Sequence, residues 1–324
     1  MKIRIVIVAL LGLALAIYLF AYAGMGAVFS AVVAVGWSGF ALLCLYALCL
    51  FFILGCAWYV LLPESTLTGL RVFVWARMVR DAATDVLPFS QIGGIVLGAR
   101  AAMHRVSQPS VYASTIVDVT TEMLAQIAYV ATGVLILDLR TPASSFAHSL
   151  IKGLLIGLVC AVAAAGVFLA LQRHGHQIME KFLVRVLPSA LERTATVSAA
   201  LQSIYRSRAR VGASIAVHFV GWIASAIGAW IAFRLVGVRV DLESVLAIES
   251  LVCATRSAAV FVPHALGAQE AAYALLAPLF GVGAEFGLAV SVLKRARDLA
   301  IGIPILLIWQ AAEGRRARSR PAVS

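Results

Sequence analysis

Charged residues are scarce in this sequence. They make up 13% of the 324 residues, whereas apolar residues make up 62%. Soluble globular proteins carry about 25% charged residues, so a chain of this composition cannot cover a large water-facing surface. The composition excludes a soluble globular protein and indicates that lipid surrounds most of the chain.

Cysteine pairs and histidine clusters are also missing. The five cysteines lie inside apolar runs without CxxC spacing, and the six histidines are scattered along the chain. The cysteines therefore read as small core residues, and no HExxH or comparable motif is present. We expect no metal site, no cofactor and no enzymatic activity.

Basic residues outnumber acidic residues, which gives a net charge of +11. The arginines cluster between apolar runs and in the tail, as they do in the cytoplasmic loops of membrane proteins. No surface with interleaved aromatic and basic residues is evident, so nucleic acid is excluded as a partner.

Six apolar runs reach the length of about 20 residues that a membrane-spanning helix requires. They cover residues 5–24, 37–62, 111–137, 150–171, 211–236 and 286–312. We predict an all-α polytopic membrane protein with about six transmembrane helices. The first run is expected to remain as a helix, although Ala21-Tyr22-Ala23 resembles a signal-peptide cleavage site. Charges near Lys294 leave open whether residues 284–312 form one helix or two.

Two further apolar segments, 71–104 and 242–280, are interrupted near their middle. The breaks contain Pro88, Gly93 and Gly94 in the first segment, and Pro263 and Gly267 in the second. Proline removes a backbone donor and glycine permits a turn, so each segment is predicted to be a re-entrant helical hairpin. Such backbone is tolerated at membrane depth only where protein covers it or where it lines a wet cavity.

Basic loop residues predict cytoplasmic N- and C-termini. The first hairpin then enters from the cytoplasm and the second from the opposite face. We predict a first repeat at 1–137, an inverted second repeat at 138–313 and a basic cytoplasmic tail at 314–324. An amphipathic cytoplasmic linker is expected at 172–210. Paired broken segments in inverted repeats are typical of transporters.

Several ionisable residues fall inside apolar runs, where each costs about 2.5–3.5 kcal/mol to insert. Arginines among them are candidates for binding headgroup phosphate or carboxylate. The candidates for a headgroup cavity are Arg100, Asp118, Glu122, Arg256, Glu270, Arg295, Arg297 and Asp298. Alternatively, these charges neutralise one another inside the bundle, and Glu270 caps a helix N-terminus.

An intramembrane serine protease is a remote alternative. Gly36-Trp37-Ser38-Gly39 matches a GxSG pattern, and His218 on another run is a candidate base. Small-residue motifs of this kind arise readily in a chain with 25 glycines.

The two broken segments resemble the membrane domain of the lysylphosphatidylglycerol synthetase and flippase family. The resemblance is carried by Pro88, Gly93, Gly94 and Arg100, and by the stretch from Pro263 to Glu270. It extends over about 36–312, and 76–129 is most similar to hopanoid-biosynthesis-associated membrane proteins of Gram-negative bacteria. The family often has Gly-Glu where this chain has Gly93-Gly94, which puts a proton-linked role there in doubt.

The resemblance implies an inner-membrane lipid translocase of the flippase type that handles a polar lipid, such as a hopanoid. Its expected partners are membrane lipid and anionic phospholipid headgroups, with a homo-oligomer or lipid-biosynthesis enzymes as further candidates. We expect no aminoacyl-lipid synthase, because the chain ends at Ser324 soon after the last run. The alternative is a non-transporting membrane scaffold in lipid biosynthesis.

Overall fold

A computed structural model describes residues 14, 17–19, 21, 24–62, 67–87, 91–140, 145–186, 191–259 and 262–319. Within these residues the regular structure is helical and no strand occurs. The predicted all-α class is confirmed. The predicted run at 5–24 and the break residue Pro88 lie largely or wholly outside the described residues.

From Met25 to Arg140, the described residues form five helices. They are α1 (Met25–Ala34), α2 (Gly36–Tyr59), α3 (Leu67–Val86), α4 (Gln91–Ala102) and α5 (Gln108–Arg140). The spans expected at 37–62 and 111–137 correspond to α2 and α5. The short helix α1 was not expected, and it is set off by Gly24 and Gly36, which both have positive φ.

The rest of the described chain continues with α6 (Ser145–Val186), α7 (Leu191–Arg206), α8 (Arg208–Leu235) and α9 (Leu242–Ala258). A 3₁₀ turn at Pro263–Ala265 leads to α10 (Ala268–Leu276), and a second at Ala277–Phe280 precedes α11 (Ala284–Ser319). Because α11 is continuous and contains Pro304, residues 284–312 form one helix despite the charges near Lys294.

Four of the described helices are long and apolar enough to cross a membrane: Gly36–Tyr59, Gln108–Arg140, Ile151–Gln172 and Arg208–Leu235. Only 6% of the apolar window in Ile151–Gln172 is buried, compared with 33% in α5 and α8. We therefore place α6 at the lipid-facing periphery and α5 and α8 in the centre of the bundle.

Small residues set the packing of the central helices. A methyl group added at Gly39 would lie 3.1 Å from Leu235, and one at Gly221 would lie 2.8 Å from Leu54, so α2 and α8 run antiparallel. Close approach through glycine is the usual way in which helices associate within a bilayer.

Helix α11 packs on both broken segments. An added methyl group at Gly287 would lie 2.8 Å from the carbonyl oxygen of Tyr273 in α10, and one at Gly302 would lie 2.7 Å from Val86 in α3. The second half of the chain therefore reaches across to the first through α11, whose middle carries the charges.

The first broken segment is a tight helical hairpin of α3 and α4. A methyl group at Gly94 would lie 2.6 Å from the carbonyl oxygen of Arg80, and one at Gly98 would lie 2.7 Å from the Cβ of Arg80. Since no larger residue fits at these distances without displacement, glycine allows α4 to lie directly on α3.

The second broken segment, α9 and α10, is joined by strained backbone. His264 and Ala265 have φ of 54° and 48°, and Gly267 has φ of 78°. A non-glycine residue in this left-handed region costs about 1–2 kcal/mol. The break expected near Pro263 and Gly267 is present, and a re-entrant path for either hairpin stays a prediction.

Helices occupy much of the segment 172–210, where an amphipathic linker is expected. Helix α6 continues to Val186, and α7 packs against α5. Ile204 of α7 is buried, and Leu201 contacts the same apolar cluster. One side of α7 thus packs on protein, and the cytoplasmic position of the segment stays a prediction.

Candidate functional site

A polar cavity of 390 Å³ lies among the central helices. Its charged wall residues are Arg77, Arg80, Asp81, Asp85, Glu122, Glu249, Arg256, Lys294, Arg297 and Asp298. They come from α3, α5, α9 and α11, so both broken segments contribute to the cavity. Five are basic and five are acidic, which leaves the wall formally neutral.

The first cluster of charges joins α3 to α5. Arg80 donates hydrogen bonds to Asp118 and Glu122, each at 2.7 Å. Arg77 donates to both Glu122 oxygens, at 2.6 and 3.1 Å, and to Asp81 at 2.7 Å. Two nearly buried guanidinium groups are therefore held by three carboxylates, an arrangement that compensates for much of the cost of burying charge.

Asp118 lies behind the cavity wall and is fully buried. Its second oxygen is 3.0 Å from Nε2 of His218 in α8. Thr121, one turn further along α5, shares a 2.9 Å hydrogen bond with Ser214 of α8. The charged cluster is thus tied to a third helix by contacts that are sealed from solvent.

A second cluster joins α9, α10 and α11. Lys294 donates to Glu249 at 2.5 Å and to the hydroxyl of Tyr273 at 2.9 Å. Tyr273 in turn donates to Glu249. The three side chains are buried, and this triad fixes α11 against the second broken segment.

Two further arginines have fewer carboxylate partners than Arg77 and Arg80. Arg256 lies 3.9 Å from Asp85, and its side chain is 39% exposed. Arg297 bonds to Asp298, its neighbour in sequence, at 2.6 and 2.9 Å. Arg77 and Arg80 each bond to at least two carboxylates, whereas these two arginines each have one. A headgroup oxyanion would therefore replace fewer protein contacts at Arg256 and Arg297.

Part of the cavity wall is apolar. Ala47, Leu50, Phe51 and Leu54 of α2 line it together with Val119 and Met123 of α5. Leu45, Leu48 and Phe52 on α2 are exposed, as expected for a helix in contact with lipid. The cavity therefore borders both an ionic wall and a lipid-facing helix.

One family model matches this chain: the lysylphosphatidylglycerol synthase TM region matches residues 4–305. The chain belongs to this family. No curated protein and no solved structure matches it. Membership in the synthase TM family confirms the predicted resemblance and the multi-pass membrane class, and it indicates a role in handling membrane lipid. The narrower hopanoid resemblance stays a prediction.

Four of the predicted headgroup residues of this family member line the cavity: Glu122, Arg256, Arg297 and Asp298. Asp118 supports the wall from behind, through Arg80 and His218. The structure thus brings four of these residues to one cavity, and their role in headgroup binding stays a prediction.

Glu270 and Arg295 form a separate pair beside the second break. Glu270 accepts from the backbone N–H of Gly267 at 2.8 Å and from Arg295 at 2.6 and 3.1 Å. Arg295 also donates to the carbonyl oxygen of His264 at 3.3 Å. Glu270 caps α10, as the alternative proposed, and the pair holds the strained backbone rather than lining the cavity.

Arg100 lies in a different place. It bonds to Glu313 at 3.0 Å in a groove of 730 Å³ that also contains His104 and Arg316. This groove is larger than the central cavity, but its charged groups sit at helix ends and Arg100 is 63% exposed. The groove therefore lies away from the buried charge clusters, which line the central cavity.

Six charged wall residues were not assigned to the site from the sequence: Arg77, Arg80, Asp81, Asp85, Glu249 and Lys294. They lie in the two broken segments or in the charged stretch of the last apolar run. Several of these residues are three or four positions apart in sequence, such as Arg77 and Arg80. This spacing places their side chains on one helix face, and it was the sequence signal for a charged wall.

The structure does not bring together the two residues that the serine-protease alternative requires. Gly39 faces Leu235 at the C-terminal end of α8, so its neighbour Ser38 also lies at that end. A helix rises 1.5 Å per residue, which places Leu235 about 25 Å along α8 from His218. His218 is instead engaged with Asp118.

Proposed function

We propose that this protein moves a polar lipid between the leaflets of a bacterial inner membrane. The headgroup passes through the central cavity while the hydrophobic tail stays in lipid. Two hairpins that enter from opposite faces form inverted repeats around the cavity, and both termini are cytoplasmic. The observation that carries this proposal is the polar cavity at the meeting of both broken segments, on helices of membrane-spanning length.

The energetic case begins with the charges. Placing ten charged side chains in the wall of one cavity is costly in a bilayer. Charged residues at membrane depth are usually retained because they line the path of a polar substrate. A cavity of 390 Å³ falls in the range of about 300–1,000 Å³ that is typical of small-ligand sites. Its volume suits a headgroup and is too small for a complete lipid with its tails.

Arg256 and Arg297 are the proposed headgroup ligands. A phosphate oxygen binds a guanidinium group more strongly than it binds a neutral donor. Among the described ion pairs, Arg256 and Arg297 each have one carboxylate partner, whereas Arg77 and Arg80 have two or more. Arg77 and Arg80 shape the wall, since removing either would leave carboxylates unpaired. The apolar residues on α2 offer a path for the tail at the cavity margin.

The test is a leaflet-exchange assay. Purified protein is reconstituted into liposomes with a phospholipid that carries a fluorophore on its acyl chain, and dithionite quenches the outer-leaflet probe. We expect loss of inner-leaflet protection with wild type and at least a tenfold slower rate with Arg297→Gln and Arg256→Gln combined. Two guanidinium–phosphate bonds at about 1.5 kcal/mol each support an effect of this size.

Arg140→Gln is the matched control, because Arg140 is exposed and pairs with Glu243 away from the cavity. Its rate is expected to equal that of wild type. The assay is run with labelled phospholipid and with a labelled polar hopanoid. If the fluorescence of neither lipid is quenched faster with wild-type protein than in protein-free liposomes, the translocase proposal fails and a scaffold role takes its place.

A further inference from the structure

Asp85 is a carboxylate of the cavity wall with a single, distant partner. It lies near the C-terminal end of α3, and its side chain is 27% exposed. Among the described residues, its one ion pair is with Arg256 of α9, at 3.9 Å. That distance exceeds the range of a hydrogen bond, so this pair depends on charge attraction alone.

Asp85 belongs to a group of four charged side chains from three helices. The others are Arg256 of α9 and the neighbours Arg297 and Asp298 of α11, which bond to each other at 2.6 and 2.9 Å. Arg297 and Asp298 are close enough to act on Asp85 electrostatically. These four residues are called the ion quartet below. Its two cations and two anions make it formally neutral.

The other acidic groups of the wall already have close cationic partners. These groups are Asp81 on α3 itself, Glu122 of α5 and Glu249 of α9. Their partners are Arg77, Arg80 and Lys294. From α2 and α4, which also pack against α3, the described wall residues are apolar. The electrostatic environment of Asp85 therefore depends mainly on the ion quartet.

Binding of a headgroup oxyanion changes this balance. When a singly charged oxyanion takes Arg256 as its partner, Asp85 loses its ion pair and stays beside the negative charge of Asp298. The ion quartet and its ligand then carry one net negative charge in a membrane interior, where unpaired charge is costly. One proton on Asp85 restores neutrality, because a carboxyl group that is removed from water and lacks a cation favours its protonated form.

We propose that Asp85 binds a proton that accompanies an anionic headgroup through the cavity, so that the protein carries lipid and proton together. The inference rests on the proposed translocation and adds the coupled ion. Linkage is reciprocal: a headgroup that promotes proton binding is itself bound more tightly once the proton is present. Exchange of an anionic lipid is therefore faster at acidic pH, and a pH gradient drives that lipid toward the alkaline side.

The first test measures lipid exchange in liposomes at pH 8 and at pH 6. The probe is a short-chain fluorescent phosphatidylglycerol, a phosphodiester whose charge is constant over this range, and albumin extracts it from the outer leaflet. The wild-type rate is expected to be about tenfold higher at pH 6, because one linked proton can change a rate by up to about tenfold per pH unit. Asp85→Asn mimics the protonated carboxyl group, so its rate is expected to change less than about twofold between the two pH values.

Glu243→Gln is the matched control, because Glu243 is an exposed carboxylate that pairs with Arg140 away from the cavity. It is expected to keep the wild-type dependence on pH. A wild-type rate that does not depend on pH, or an equal pH dependence in Asp85→Asn, overturns the assignment. Failure of the translocation proposal looks different, because wild type would then exchange the probe no faster than protein-free liposomes at either pH.

A pH gradient provides a second measurement that needs only the wild-type protein. Liposomes with an interior at pH 8 are placed in a medium at pH 6, and the distribution of the probe between leaflets is compared with that in protein-free liposomes. The probe is expected to accumulate at least about threefold in the inner leaflet, below the limit of about tenfold per pH unit for one proton per lipid. Rapid exchange with equal amounts in both leaflets would show translocation without a coupled proton.

Discussion

The two broken segments occupy comparable places beside the cavity but are built differently. In α3 and α4 the helices touch through Gly94 and Gly98, and the charged groups form one network with α5 and α8. In α9 and α10 the connection contains left-handed residues, and the charges form separate groups with α11. The first segment shares one connected network of charged contacts, whereas the second makes separate groups of contacts around a strained turn.

The largest difference is expected between two arginines. Arg80→Gln removes a nearly buried cation shared by the buried Asp118 and the partly buried Glu122 and should lower the free energy of unfolding by about 3–5 kcal/mol. Arg256→Gln removes a partly exposed cation 3.9 Å from its partner and should cost about 1 kcal/mol or less. Denaturant unfolding in detergent measures both, and equal losses would erase the proposed contrast.

A smaller effect is expected from the helix contact in the first segment. Gly94→Val places side-chain atoms against the backbone of Arg80, and overpacking of this kind costs about 1–3 kcal/mol. Gly153→Val in α6 is the control, because nothing lies within 4 Å of a methyl group there. Should both variants unfold at the same denaturant concentration, close packing of α4 on α3 would not stabilise the hairpin.

The third comparison perturbs stability least and tests the inverted arrangement. Leu87 and Leu266 lie beside the two breaks, and each is changed to Cys in a variant without the native cysteines. An impermeant maleimide is expected to label Cys at 266 from the periplasmic face and Cys at 87 only after access from the cytoplasm. Labelling of both positions from one face would contradict inverted repeats.

The spans were predictable because lipid imposes length and apolarity on every crossing helix. That is why the runs at 37–62 and 111–137 match α2 and α5 closely. The continuity of α11 was not predictable from the sequence, because a charged stretch near Lys294 resembles a helix break when the partners of its side chains are unknown. Those partners, Glu249 and Tyr273, lie on other helices, and single-chain periodicity carries no information about them.

The candidate site was predictable only in part for the same reason. Arg297 and Arg100 look alike in sequence, since each is a basic residue near apolar runs. The fold places Arg297 in the cavity wall and Arg100 in an exposed groove.

The equal number of positive and negative side chains in the cavity wall has an electrical consequence. A membrane potential of 100 mV does work of about 2.3 kcal/mol on each elementary charge that crosses it. A wall of zero net charge contributes almost no gating current when it turns from one leaflet to the other. Any voltage dependence of transport then reports mainly the valence of the lipid cargo, counted with any proton that accompanies it.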